Sequence, residues 1–243
     1  MKKTINTLLT TSLTAMIIST PYAVAADTGA LKAFHATYQV VSEGSISMKG
    51  ESERVLSQNA DNKWLLKSRA SALFASIEES SLFSLNQNQI TPHQYLYNRK
   101  VLGKTRKANL SFDWQTQTVT NDVNNKPWKM DIQPGVMDKL SYQLQLQSDV
   151  AAGKKEFSYN VADGGRLKNY NFAVKGKEII KTPAGDFNAV RVERIYAEAK
   201  DRQTLIWFAP ALGYQMVKLY RQEKKDKIFS LELKTSDQQA HKP

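Results

Sequence analysis

Residues 157–192 read FSYNVADGGRLKNYNFAVKGKEIIKTPAGDFNAVRV, and this stretch decides the fold class. Apolar and polar side chains alternate on both sides of Asp163-Gly164-Gly165, which is typical of strands with one buried and one wet face. Asp-Gly is a strong hairpin signal because both central turn positions tolerate positive φ. In Thr182-Pro183-Ala184-Gly185, Pro presets the first turn position and Gly takes the left-handed one. The stretch therefore predicts antiparallel strands joined by short turns.

The same alternation recurs in segments that begin at Phe34, Leu110, Trp128 and Phe229. Residues 70–85 are ambiguous, because their first half can begin a helix and their second half alternates; we favour extended structure. The sequence therefore predicts a mainly β protein, a curved antiparallel sheet or an open β-barrel with one short amphipathic helix. We expect a single domain over residues 26–243, with a polar tail that frays from about residue 236.

One segment follows a helical period. Apolar residues recur at three- and four-residue steps from residue 136 to about residue 149, which predicts the helix there. Its other face carries Asp138, Lys139, Gln143 and Gln147. An apolar helix stripe can cover the hollow side of a curved sheet, so we predict a ligand-binding role for Met137, Leu140 and Leu144. Core packing is the alternative role of this stripe.

The N-terminus has the pattern of an export signal. Lys2 and Lys3 precede a moderately apolar run over residues 5–19, and Ala23-Val24-Ala25 supplies the small residues that a signal peptidase needs. We expect residues 1–25 to be a signal peptide, cut between Ala25 and Ala26, and the rest of the chain to be periplasmic. The run is too short and too rich in Ser and Thr to predict a stable membrane span.

Composition narrows the classes of partner. The chain contains no cysteine, which excludes disulfides, thiolate catalysis and Cys-ligated metals. Its formal charge of +11 becomes +9 if Lys2 and Lys3 leave with the signal. For an exported protein, this charge favours an anionic lipid, lipopolysaccharide or an envelope protein as partner, and not nucleic acid.

A basic and aromatic stretch covers residues 95–107. An aromatic ring and several cations alternate there, which predicts a surface that binds lipid headgroups or glycans; the residues are Tyr97, Arg99, Lys100 and Arg106. The alternative is a β-hairpin with core aromatics and a basic wet face that blunts a sheet edge.

Motifs for catalysis are missing. The three histidines, His35, His93 and His241, share no metal-ligand spacing. The chain has neither a Gly-x-Ser-x-Gly elbow nor a Gly-rich phosphate loop. We therefore predict no catalytic residue, no metal and no cofactor. Carboxylates from distant positions, such as Glu78-Glu79, leave a hydrolase of envelope glycans or lipids as an alternative.

Residues 163 to about 234 carry a family resemblance. Its pieces are Asp163-Gly164, Tyr170-x-Phe172-x-Val174-x-Gly176-x-Glu178, Thr182-Pro183-Ala184-Gly185-x-Phe187-x-Ala189-Val190-Arg191-Val192 and Trp207-Phe208-Ala209-Pro210. Upstream, Phe34-x-Ala36-x-Tyr38, Thr91-Pro92-x-x-Tyr95 and Asp138-x-Leu140-Ser141 agree in order and spacing. Together they resemble domain of unknown function family 3108, a group of exported bacterial envelope proteins. The resemblance implies a periplasmic, β-rich single domain, and no particular reaction, cofactor or catalytic residue.

These observations favour a non-catalytic periplasmic protein of cell-envelope maintenance that binds an amphiphilic ligand or a partner protein. The alternatives are an envelope hydrolase and a structural adaptor without a small ligand. A hollow concave face of the sheet would favour the ligand-binding protein. Two inward carboxylates would favour the hydrolase, and a large exposed apolar patch would favour the adaptor.

Overall fold

A computed structural model describes residues 31–44, 47–198, 201–224 and 227–238. The predicted signal peptide and its cleavage position at Ala25 and Ala26 lie outside the described residues. Within these ranges the chain forms fourteen β-strands, the α-helix α1 (Ser141–Ala151) and a short 3-10 helix (Pro210–Leu212). No helix in this part of the chain is long and apolar enough to cross a lipid bilayer.

The strands form one antiparallel sheet. Their bounds are β1 Phe34–Glu43, β2 Met48–Gln58, β3 Trp64–Ala72, β4 Ala75–Asn86, β5 Gln89–Val101, β6 Lys104–Asp113, β7 Thr118–Val123, β8 Pro127–Asp131, β9 Glu156–Ala162, β10 Leu167–Thr182, β11 Gly185–Ile195, β12 Gln203–Ala209, β13 Gln215–Lys224 and β14 Lys227–Ser236. The order across the sheet runs from β8 back to β1, then from β14 back to β9. Strands β8 and β9 are its two edges. The predicted fold class, a mainly β open sheet with one short helix, is confirmed.

The sheet consists of two meanders, β1–β8 and β9–β14, that are joined by the pairing of β1 with β14. The first and last strands therefore lie side by side in mid-sheet. The His35 backbone N–H donates to the Asp237 carboxylate at 2.9 Å, and the Gln238 side chain donates to the Ala33 carbonyl at 3.3 Å. Of the tail that the sequence predicts to fray from about residue 236, the part up to Gln238 is hydrogen bonded, and residues 239–243 lie outside the described residues.

Alternate residues of the strands form the core. In β1, Phe34, Ala36, Tyr38 and Val40 are buried, and the residues between them are more exposed, as the period of two predicts. The prediction of extended structure over residues 70–85 is also confirmed, because β3 and β4 occupy this region and are joined by a two-residue turn.

The edge strands meet through a side chain and a connecting segment. The Trp128 indole N–H on β8 donates to the Gly165 carbonyl at 3.4 Å, in the turn after β9. Further along, Met137 forms an isolated parallel bridge with Val161 of β9. The Met137 N–H donates to the Asn160 carbonyl at 2.9 Å as part of this bridge. These contacts draw the two edges together without a ladder between them.

The predicted start of the helix, residue 136, is wrong, because α1 begins at Ser141. The bridge to β9 holds Met137 in extended structure, and Asp138 then turns the chain. The Asp138 carboxylate accepts the N–H groups of Leu140 at 2.7 Å and Ser141 at 2.8 Å, and its own N–H donates to the Ser141 hydroxyl at 2.9 Å. These bonds form a reciprocal capping box across the turn that leads into α1, and Leu140, the residue directly before α1, has no side-chain cap of its own. Asp138 was predicted on the polar face, but it is fully buried.

Helix α1 closes one end of the hollow side of the sheet. The Ile90 N–H donates to the Gln145 side chain at 2.9 Å, and the Gln147 side chain donates to the Gly213 carbonyl at 3.4 Å. Ile90 is the second residue of β5, directly after the turn that follows β4, and Gly213 belongs to the connection after β12; these two connections define the closed end. The turns after β3, β5 and β9 lie at the opposite end, which we call the open end.

Candidate ligand site

Between α1 and the open end, the hollow side of the sheet encloses a cavity of about 240 Å³. Part of its lining is apolar and comes from β3, β4, β13, β14 and the segment before α1. These residues are Ala70, Ile77, Leu219, Phe229, Leu231 and Leu140. Another part is cationic and consists of Arg54, Lys139, Arg194 and Arg221. The cavity is therefore amphiphilic.

A wider cavity of about 620 Å³ adjoins it at the open end and shares Asp163, Tyr170, Arg194 and Arg221 with it. We call this second cavity the mouth. Its cationic residues are Arg166, Lys168, Arg194, Arg202, Arg221 and Lys227, against the two carboxylates Asp163 and Glu223. Cations lining a cleft concentrate anions there, because the low-dielectric walls focus the field.

Arg54 of β2 is the most deeply placed cation of the site, and only 5% of its surface is exposed. Its guanidinium donates to the Gln143 side chain at 3.0 Å and to the Met216 sulfur at 3.8 Å. Its buried Nε has no hydrogen-bond partner, and no carboxylate of the described residues forms an ion pair with it. A buried charge without a counter-charge is destabilising. The arrangement therefore suits an anion that enters from the mouth.

Two more guanidinium groups lie near Arg54. Arg194 of β11 stacks 3.4 Å from the centre of the Tyr170 ring, and its Nε is also buried without a partner. Arg221 of β13 pairs with Glu223 at the rim. Burial raises the pKa of Tyr142, and the charges of Arg194, Arg221 and Arg54 oppose that rise. The three arginines and Tyr142 of α1 all line the 240 Å³ cavity.

Two carboxylates point into the same cavity, Glu79 and Asp163. The Tyr95 hydroxyl donates to Glu79, while Lys168 at 2.6 Å and the Tyr170 hydroxyl at 2.9 Å donate to Asp163. Burial acts to raise the pKa of Asp163, but these hydrogen bonds and nearby lysine charges outweigh burial and lower it. Asp163 therefore stays ionised at neutral pH and is a poor proton donor.

The three apolar residues predicted to bind a ligand are all buried, and the structure separates them. Leu140 lines the 240 Å³ cavity. Leu144 lies deeper, next to only about 10 Å³ of free space beside Tyr38 and Phe208. Met137 is part of the bridge to β9. Of the three, Leu140 is the one that borders the hollow region.

The predicted basic-aromatic residues divide between two faces of the β5–β6 hairpin. Tyr97 and Arg99 share one face, and Arg106 lies directly opposite Arg99 on the neighbouring strand. Burial raises the pKa of Tyr97, and the charges of both arginines act against this. Lys100 alternates with Arg99 and so lies on the other face. The structure thus brings Tyr97, Arg99 and Arg106 together and leaves Lys100 apart.

The alternation of the strands did not lead to a prediction of the three inward arginines, although a signal for them exists. Arg54 lies two residues before the buried Leu56 in its strand, and Arg194 lies two residues after the buried Val192, so each arginine is on the same sheet face as its apolar neighbour. Arg221 is likewise on the same sheet face as Leu219, two residues before it, which lines the cavity. A cation on the apolar side of an alternating strand was the pattern to look for.

A family model described as Protein of unknown function (DUF3108) matches residues 33–233. The chain belongs to the DUF3108 family. The match runs from the start of β1 into β14, so it includes the whole cavity lining of this DUF3108 protein, and it confirms the predicted family.

A solved structure shares the fold of the DUF3108 protein. It is described as a beta-barrel-like protein of domain of unknown function DUF1849 from Brucella abortus. The TM-score is 0.58 at 10% sequence identity, over 87% of this chain and 99% of that one. At this identity the likeness shows the fold alone. A comparison with curated proteins found no match.

Proposed function

We propose that this DUF3108 protein is a non-catalytic binding protein of the bacterial cell envelope that takes an anionic amphiphile into its open end. Arg54 carries this proposal, because it is a buried guanidinium with an unpartnered Nε and no carboxylate beside it among the described residues. A phosphate or carboxylate headgroup would supply the missing acceptor and counter-charge. The periplasmic location is part of the proposal and is supported by the signal-like sequence of residues 1–25.

The rest of the lining supports an amphiphile over a simple anion. Leu219, Phe229 and Leu231 offer apolar contact in the same cavity as Arg54 and Arg194. Ligand sites typically measure about 300–1,000 Å³ and combine apolar walls with a few placed polar groups. The inner cavity lies just below this range and the adjoining mouth lies within it. Together they suit a headgroup and part of an acyl chain.

The first prediction concerns Arg54 and Arg194. Arg54→Gln and Arg194→Gln should each weaken binding of lysophosphatidylglycerol about 10- to 100-fold, since a hydrogen bond to a charged group contributes about 1.5–3 kcal/mol. Titration calorimetry below the micelle concentration, at about 0.15 M salt, measures this while surface attraction is screened. Arg54→Gln should not lower the melting temperature, because it removes a buried charge that no carboxylate of the described residues balances.

Arg191→Gln is the matched control. Arg191 lies on the same strand as Arg194 but on the opposite face, where it pairs with Glu178 at 3.4 Å. Its replacement should leave lysophosphatidylglycerol affinity unchanged. The proposal is overturned if Arg54→Gln and Arg194→Gln bind like the original protein, or if an uncharged monoacylglycerol binds equally well.

The hydrolase alternative has one observation in its favour, which is the presence of Glu79 and Asp163 in one cavity. Both carboxylates are engaged by neighbouring side chains, and the lowered pKa of Asp163 argues against a role as general acid. Release of product from envelope glycans or phospholipids that is lost in both Glu79→Gln and Asp163→Asn would favour the hydrolase over the binding protein.

A further inference from the structure

Three of the most exposed apolar side chains lie on two neighbouring turns at the open end. Leu73 and Phe74, in the turn after β3, are 83% and 62% exposed, and Leu102, in the turn after β5, is 67% exposed. The Leu102 N–H donates to the Phe74 carbonyl at 3.0 Å, which ties the two turns together. We call these three residues the apolar tip.

The backbone at Leu102 makes this placement unusual. Leu102 has φ +48° and the following Gly103 has φ +77°, so both are in the left-handed region. Hairpin turns of this shape ordinarily use Asn-Gly or Gly-Gly, because a branched side chain is strained there. The Leu102 side chain is mostly exposed, so packing within the chain does not account for a leucine at this position.

Exposed cations flank the apolar tip on the β5–β6 hairpin. Five exposed cations lie on the β5–β6 hairpin, and none of them has an ion-pair partner among the described residues. They are Arg99, Lys100, Lys104, Arg106 and Lys107. Arg99 and Arg106 are directly opposite in the ladder, an arrangement that destabilises a sheet. An apolar patch set within cations of one sign is complementary to an anionic surface with an apolar interior.

We propose that the apolar tip inserts into a bilayer with anionic headgroups, while the five cations contact the phosphates, so that the open end faces the membrane surface. Apolar side chains on a basic element bury themselves at the boundary between headgroups and acyl chains in this way. A second copy of this chain is a poor occupant, because a symmetric contact would bring two cationic hairpins together. The proposal goes beyond ligand binding and does not depend on the arginines of the cavity.

The absence of cysteine allows a direct test. Phe74→Cys, labelled with the environment-sensitive dye NBD, should brighten and shift to the blue with vesicles that contain phosphatidylglycerol, and not with phosphatidylcholine alone. Ile179→Cys is the reference, because Ile179 is 71% exposed but lies on β10 near the closed end. Its label should report water throughout. A Phe74→Cys label that stays in water with anionic vesicles overturns the proposal.

Vesicle sedimentation adds a test by substitution. Leu73→Ser and Phe74→Ser together should lower partition onto phosphatidylglycerol vesicles by about tenfold or more, and Ile179→Ser should leave it unchanged. Leu102→Asn removes an apolar side chain of the tip without a risk of misfolding, since asparagine tolerates the left-handed backbone. It should raise or maintain the melting temperature and still weaken vesicle binding. Lys100→Gln with Lys104→Gln should weaken binding and flatten its dependence on salt.

Two further results would contradict the proposal. If the protein bound phosphatidylcholine vesicles as well as phosphatidylglycerol vesicles, the five cations would not contribute to binding. A shift of the Phe74→Cys label that follows protein concentration without vesicles would make the tip an interface between copies. Failure of membrane docking is separable from failure of ligand binding: Arg54→Gln should still dock, and the double serine variant should still bind soluble lysophosphatidylglycerol.

Discussion

The Asp138 carboxylate links the start of α1 to the sheet. Besides capping the helix, it accepts a hydrogen bond from the Ser81 hydroxyl of β4 at 2.6 Å. Burial raises the pKa of Asp138, and the hydrogen bonds from Ser81, Ser141 and Leu140 oppose the rise. One side chain thus fixes both where the helix begins and where it sits against β4.

Asp138→Ala should lower the free energy of unfolding by about 3 kcal/mol, since it removes a cap and leaves buried donors unpaired. Asp138→Asn keeps an acceptor for the helix N–H groups and should cost only about 1 kcal/mol. Urea denaturation of both variants measures the difference. Equal losses in the two variants would mean that the volume of the side chain matters and its hydrogen bonds do not.

The raised pKa of Asp138 also predicts a pH dependence. The folded state holds the proton more tightly than the unfolded chain, so stability falls as pH rises from the unfolded pKa of about 4 through the folded value. Asp138→Asn lacks this decline. The stability of Asp138→Asn relative to the original protein should therefore improve with pH across that window. Parallel pH curves would contradict the assignment.

The surroundings of individual residues were the feature that the sequence predicted least well. The helical period placed Asp138 among solvent-facing residues, because the pattern cannot tell an N-cap from the first turn that it resembles. Arg54 likewise directly follows Glu53 in a strand that looks wet on one face. Whether an inward cation finds a carboxylate depends on strands that are distant in sequence, so its lack of a partner could only be seen in the structure.

Among the elements, the hairpins were the most predictable. The turns at Asp163-Gly164-Gly165 and Thr182-Pro183-Ala184-Gly185 appear where turn chemistry placed them, because the required backbone angles are local. The approach of β8 to the turn after β9 has no such local signal. It depends on Trp128 lying against a glycine that is distant in sequence.

The contact between Trp128 and Gly165 can be tested with two neighbouring glycines. Both Gly164 and Gly165 have left-handed backbones, but an added Cβ meets the Trp128 ring at 2.1 Å only from Gly165. Gly164→Ala should therefore cost about 1 kcal/mol of backbone strain, and Gly165→Ala roughly 1 kcal/mol more. Thermal denaturation in a Trp128→Ala background should remove the extra loss. An extra loss that persists there would show that Trp128 is not its cause.

At the scale of the whole molecule, the order of the strands depends on a pairing between the two ends of the chain. The sequence predicted one β-rich domain, but its alternation is the same in every strand and does not specify which strands are neighbours. The pairing of β1 with β14 brings the hydroxyl oxygens of Thr37 and Thr235 to 2.7 Å from each other, although the two residues are 198 positions apart in sequence. Loop closure over such a distance is a known cause of slow folding.

A circular permutant tests this view of the topology. Joining Gln238 to Ala33 through a short linker, with new ends at Gly153 and Lys154, would place all fourteen strands in consecutive order. We expect this permutant to keep its circular dichroism spectrum and to refold faster, because β1 and β14 become a local hairpin. A permutant opened at Gly103 trades one distant pairing for another and should refold at about the original rate. Equal rates for both permutants would contradict the argument.

The position of β1 has a consequence for incomplete chains. Until residues 227–236 have been made, β1 has a partner on one side only, and its free edge lies in what will become the middle of the sheet. Such an edge is a template for aggregation and a surface to which holding chaperones bind. A stop codon anywhere before Lys227 should therefore yield a product for proteolysis, and not a shorter working protein.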